Sequence, residues 1–100
     1  MPEALYTKEN ESALMRLFGR NAKLRLIDFF LDNPQNDYTR IEIMKALGMT
    51  KPTISKTLPI LEEYEIVKIT RKIGKAKLYQ LNSGSYIVEK LSAISYILSL

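Results

Sequence analysis

Apolar positions along this chain fall at helical spacing for most of its length and switch once to strict alternation. From Glu9 to Phe18, Leu14, Leu17 and Phe18 share one side, which predicts a first helix stopped by Gly19. Asn21 is placed to cap a second helix, in which Leu24, Ile27, Phe30 and Leu31 recur at helical intervals. Asn33-Pro34 ends it, because proline disfavours helical backbone in the residue before it. Thr39-Arg40-Ile41-Glu42 is a capping box: the Thr39 hydroxyl accepts from the Glu42 N–H, and the Glu42 carboxylate accepts in return from the Thr39 N–H. The third helix it opens is expected to turn Ile41, Met44 and Leu47 inward and to close at Gly48, where a left-handed backbone ends helices.

After the short turn at Met49 and Thr50, a fourth helix is predicted from about Lys51 to Tyr64. Ile54, Leu58 and Leu61 lie within about 60° of one another on it and form its buried stripe. Pro52, Ser55, Lys56 and Pro59 fall on the far side, with Thr53 and Thr57 on a flank. Pro52 is harmless in a first turn, whereas a proline at position 59 removes a hydrogen bond and costs on the order of 3 kcal/mol. It predicts a kink between Ser55 and Pro59 or an earlier end.

From Ile66 the period becomes two. Val67, Ile69 and Arg71 share a face, Tyr79 and Leu81 share one on the return, and Gly74 is the turn residue within RKIGKAK. The last segment, Tyr86 to Leu100, is helical again. It has a seam of Ile87, Leu91, Ile94 and Leu98 beside a second apolar line of Tyr86, Ala93, Ile97 and Leu100. One face is expected to pack on its own chain and the other on a partner. The fold class is therefore mainly α with a small β-hairpin.

Composition then removes whole classes of chemistry. The 100 residues contain no Cys, no His and only four Gly, so there is no thiolate or imidazole metal site, no cysteine nucleophile, no Ser–His pair and no Gly-rich phosphate loop. The expectation is a non-enzyme with no cofactor and no metal. The start MPEALYTKENES lacks the basic-then-apolar pattern of a signal peptide, and the uncharged stretch Leu91–Leu100 is about half a membrane span. A cytoplasmic, nucleoid-associated protein with no membrane partner is expected. Asp28 and Asp32, at i,i+4 on the second helix, read as two solvated carboxylates.

Charge changes the picture more than composition does. Residues 38–83 hold nine basic and four acidic side chains, a net of +5, whereas residues 1–37 hold five and six. Between Ile66 and Leu81 there are five cations and no anion. Such asymmetry points to a polyanionic partner, nucleic acid first, although edge strands also carry Lys to block aggregation.

The order helix, helix, helix–tight turn–helix, hairpin, helix places TRIEIMKALGMTKPTISKTLPILEEYEIV at a helix-turn-helix. From LFGRNAKLRLIDFFLDN to RKIGKAKLYQLN, about residues 12–83, the chain resembles the winged helix-turn-helix of ArsR- and MarR-like regulators and small archaeal DNA-binding proteins. The resemblance implies a dimeric, sequence-specific regulator on double-stranded DNA. The winged core would span residues 19–83, with an N-terminal arm and helix over 1–18 and a dimerisation helix over 84–100. It implies base reading by Pro52, Thr53, Ser55, Lys56 and Thr57. Backbone contacts would come from Thr39, Arg40 and Lys51 and from the wing residues Arg71, Lys72, Lys75 and Lys77. The homodimer would close through Leu14, Leu17, Phe18, Ile87, Leu91, Ile94, Ile97 and Leu98. The missing Cys and His set the chain apart from ArsR-type metal sensors, and its short terminal helices from MarR-like proteins that enclose a drug pocket. Two other uses of the fold are a protein-interaction module and an architectural or partition protein with little sequence preference.

Overall fold

A computed structural model describes residues 11–100. The N-terminal arm up to residue 10, and with it the start of the helix expected from Glu9, lies outside the described residues. The elements are α1 (Ala13–Phe18), α2 (Ala22–Asp32), α3 (Arg40–Leu47), α4 (Lys51–Glu63), β1 (Val67–Ile73), β2 (Ala76–Leu81) and α5 (Tyr86–Leu98).

Local chemistry accounts for their boundaries. Side chains of Ser12, Asn21 and Ser85 accept from the backbone N–H three residues on and open α1, α2 and α5. The capping box at Thr39 and Glu42 is formed in both directions, at 3.2 and 2.8 Å. Gly48 ends α3 in a left-handed conformation, φ 64°, and the Met49 N–H closes onto the Met44 carbonyl. At the end of α4, the Ile66 N–H reaches the Leu61 carbonyl and the Glu65 N–H reaches that of Glu62. This is the Schellman pattern with Glu65 (φ 61°) where glycine is usual. Pro59 neither shortens nor breaks α4: the helix continues to Glu63 with Pro59 on its exposed side.

The core is built from three helices and the hairpin. Leu26 and Phe30 of α2, Ile43 and Leu47 of α3, and Ile54, Leu58 and Leu61 of α4 close over Val67, Tyr79 and Leu81. Val88 of α5 seals the far end. The inward face of α3 differs from the expected one. Ile43 and Leu47 are buried, Met44 is half-buried and Ile41 is 63% exposed, because Ile41 faces the opening between α3, α4 and the hairpin and not the core. Leu26 and Met15 are likewise buried outside the apolar lines read from the sequence.

The hairpin pairs β1 and β2 antiparallel, but the register shifts between Ile69 and Arg71. This bulge at Thr70 breaks the expected alternation on β1. Leu78 and Tyr79, adjacent on β2, are both buried, Tyr79 in the main core and Leu78 outside that cluster. On the other edge of β2, Tyr38 and Tyr79 exchange both backbone hydrogen bonds at 2.8 Å, which fixes the hairpin to the segment leading into α3. An Arg25 Nη2 bond to the Leu47 carbonyl ties α2 to the turn between α3 and α4. These bonds tie the hairpin and α2 to the two ends of α3.

Candidate nucleic-acid interface

Where α3, α4 and the hairpin meet, they leave a cleft of roughly 410 Å³. Its floor is apolar, from Ile41, Met44, Ile54 and Ala76, and its rim carries Arg40, Lys51, Lys75 and Lys77. Thr39 also lines it, so the first turn of α3 faces the cleft together with Lys51, the first residue of α4. Four cations and a helix N-terminus converge on one opening, a favourable setting for phosphate. Arg40 is braced there by a 3.3 Å hydrogen bond from its guanidinium to the Tyr79 hydroxyl and lies 6.0 Å from that ring's centre.

The predicted backbone-contact residues thus separate into groups. Thr39, Arg40, Lys51, Lys75 and Lys77 are brought together. Lys72 is exposed on β1, directly across from Lys77. Arg71 is held differently: it makes a two-pronged pair with Asp37 at 2.9 and 3.2 Å, and the Thr70 hydroxyl donates to the same carboxylate at 2.6 Å. Hydrogen bonds from Arg71 and Thr70 hold the Asp37 carboxyl below its usual range, and Asp37 in turn raises the Arg71 guanidinium. This clasp pins the bulge of β1 to the loop before α3. Sequence spacing gives no sign of it, because its partners are over thirty residues apart.

On α4, Pro52, Lys56 and Pro59 are exposed and Ser55 is half-buried. Lys56 lies outside the cleft, on the solvent arc. Thr57 is corrected: it is 6% exposed and its hydroxyl donates to the Thr53 carbonyl at 2.7 Å, so it reaches no base. The Thr53 hydroxyl shares a 3.0 Å hydrogen bond with that of Thr50. On the opposite flank of the α4 N-terminus, Arg20 and Arg25 line a shallower depression with Thr50 and Thr53. In the sequence Arg20 is marked only as a cation just before the α2 cap.

At the other end of the molecule α1 packs on α5. Leu14 is corrected as an interface residue: it is 1% exposed and belongs to the chain's own core. Ile87 and Leu91 are half-buried against that core. Leu17 and Phe18 on α1, and Ile94, Ile97, Leu98 and Leu100 at the end of the chain, are left largely uncovered. Asp28, expected in solvent, is 7% exposed and accepts from the Ser12 hydroxyl. Burial pushes its carboxyl up despite that bond, with Asp32 adding to the rise. Among the described residues no helix is long and apolar enough to cross a membrane, and no cluster of three metal-ligating side chains occurs.

Among solved structures, the chain is similar to a mutant of MepR, a winged-helix protein, from a multidrug-resistant S. aureus clinical isolate. Identity is 23% and the TM-score 0.61, over 97% of this chain and 71% of that one. The fold is a winged helix. In its terms α3 and α4 are the helix-turn-helix and β1–β2 is the wing. No family model matches the chain, and no curated protein matches it.

Proposed function

We propose that this chain is a homodimeric regulator that binds double-stranded DNA, with α4 in the major groove and the wing on the backbone or minor groove. The observation that carries the reading is the cleft in which Arg40, Lys51, Lys75 and Lys77 converge beside the N-terminus of α3. A duplex strand laid along it meets cations from both sides, and these contacts set register and supply most of the affinity. Lys56, with Ser55 and Pro52, projects from the solvent arc of α4 toward base edges, where a lysine donates to guanine O6 and N7. The uncovered apolar end formed by α1 and α5 supports pairing through Leu17, Phe18, Ile94, Ile97 and Leu98. A two-fold dimer doubles both cleft and reading helix. DNA as the partner places the protein in the cytoplasm, on the nucleoid.

The second reading is an architectural or partition protein. It is favoured by the sparse chemistry of the reading surface, where two prolines flank a single lysine. Selection of bound duplexes from a random pool tests both. The regulator returns a two-fold-symmetric site with half-sites about 10 base pairs apart, or a multiple of that. The architectural protein returns an unenriched pool, and failure to retain any duplex removes both readings.

A further inference from the structure

Beside the cationic turn of the wing sits an exposed apolar side chain. Ile73 ends β1, pairs with Ala76, and is 58% exposed. Gly74 follows at φ 60°, the first central position of a two-residue turn of the II′ type, and open space surrounds it. Behind the tip, Lys72 and Lys77 stand directly opposite each other across the strands. Like charges in that register oppose pairing, and among the described residues neither has a carboxylate partner. Lys75 sits in the turn itself. A β-branched apolar side chain at the end of a hairpin, next to Lys75 in the turn and on the opposite face of the strands from Lys72 and Lys77, gains nothing from solvent. It covers none of its own core.

Resting on the proposed DNA binding, we infer that Ile73 is an apolar wedge that enters the minor groove and partly unstacks one base step. The lysines make the approach possible: Lys72, Lys75 and Lys77 neutralise the phosphates lining a narrow groove and relieve their own repulsion there. The groove presents only a degenerate pattern of acceptors, so an isoleucine has no edge to read. It can instead insert between bases, as apolar side chains do in proteins that kink DNA. The wedge contributes sequence preference through deformability. Pyrimidine–purine steps such as TA part most easily, and stiff A-tracts resist. The wing then supplies discrimination that the sparse surface of α4 lacks.

The test uses the full chain and duplexes of about 30 base pairs that differ only under the wing, with either TA steps or an A-tract. A fluorescent adenine analogue in the step reports unstacking, and end-to-end energy transfer reports bending. Wild-type protein is expected to raise the analogue's emission and to prefer the TA duplex by about tenfold. Ile73→Ala abolishes both effects and leaves A-tract affinity within about twofold. Ile73→Lys also loses the unstacking signal, although its added charge tightens binding to both duplexes. Because Ile73 is exposed, circular dichroism of both variants matches the wild type. Tight, salt-dependent binding of wild type without increased emission overturns the wedge alone, as does an unchanged signal in Ile73→Ala. Failure to bind either duplex overturns the proposed function and the wedge with it.

Discussion

Ile97→Asp is expected to turn a dimer into a monomer without unfolding it. Ile97 is 62% exposed on α5, so the substitution leaves the chain's own core intact. Leu91, on the same helix, is half-buried against that core and would confound the experiment. Fully burying a Leu, Ile or Phe side chain is worth about 1.5–3 kcal/mol, and the six uncovered apolar side chains at this end retain about half of that, near 1 kcal/mol each. A two-fold interface uses every one twice. The gross gain is about 12 kcal/mol, within the range of about 4–15 kcal/mol that association itself costs, with backbone and rim contacts setting the balance. Replacing Ile97 removes about 2 kcal/mol from the pair of subunits and buries two carboxylates that face each other's apolar surroundings, at a further cost of several kcal/mol. The dimer dissociation constant then rises by a factor of about a thousand or more. Sedimentation velocity across a dilution series reads it directly, and DNA affinity should fall in parallel because one subunit covers only one half-site. A wild type that sediments as a monomer, or a variant with the same dimer constant, would show that Ile97 and the apolar end of α5 form no subunit interface.

Two further outcomes follow, one from side chains at the site and one from a buried carboxyl of α2. Lys56→Ala should reduce discrimination between the selected site and a base-pair variant by about 1–3 kcal/mol, whereas Lys75→Ala should weaken all duplexes alike; a competition titration with both variants checks this division. Asp28→Asn should raise the melting temperature at neutral pH. The folded-state pKa of Asp28 is raised, so the ionised form disfavours folding, and its unfavourable effect grows as pH rises from the ordinary carboxylate value through the raised one. Below both values the carboxyl is protonated in folded and unfolded chain alike, and the advantage of Asn disappears; melting curves at neutral and strongly acid pH measure the difference.

The sequence announced those parts of the fold that depend on local chemistry. The Thr39–Glu42 box, Asn21, Gly48 and the Gly74 turn each act within a few residues, and each boundary follows from them. Failures arose where tertiary packing decides. Nothing local tells Ile41 from Ile43 on a short helix; the body below α3 selects Ile43, and the cleft keeps Ile41. Leu14 followed Leu17 and Phe18 in a pattern that cannot say which side meets the chain's own α5 and core. Thr57 sat on a flank, and its hydroxyl found the Thr53 carbonyl instead of solvent. For the candidate site, residue types were legible and grouping was not. A count of cations puts Arg71 beside Lys75, but Asp37, far away in sequence, takes Arg71 and leaves Arg40, Lys51, Lys75 and Lys77 to share the opening.

The salt dependence of duplex binding, measured for wild type and for the Lys75→Ala/Lys77→Ala pair of changes, decides whether this cleft holds the DNA backbone. Four cleft cations in each of two subunits give about eight phosphate contacts, and hence a slope of log K against log salt near −7. Removing the two wing lysines that line the cleft leaves about four cleft contacts and a slope of roughly −3.6. A wild-type slope near zero, or one unmoved by the two substitutions, would contradict the assignment of this cleft to the DNA backbone.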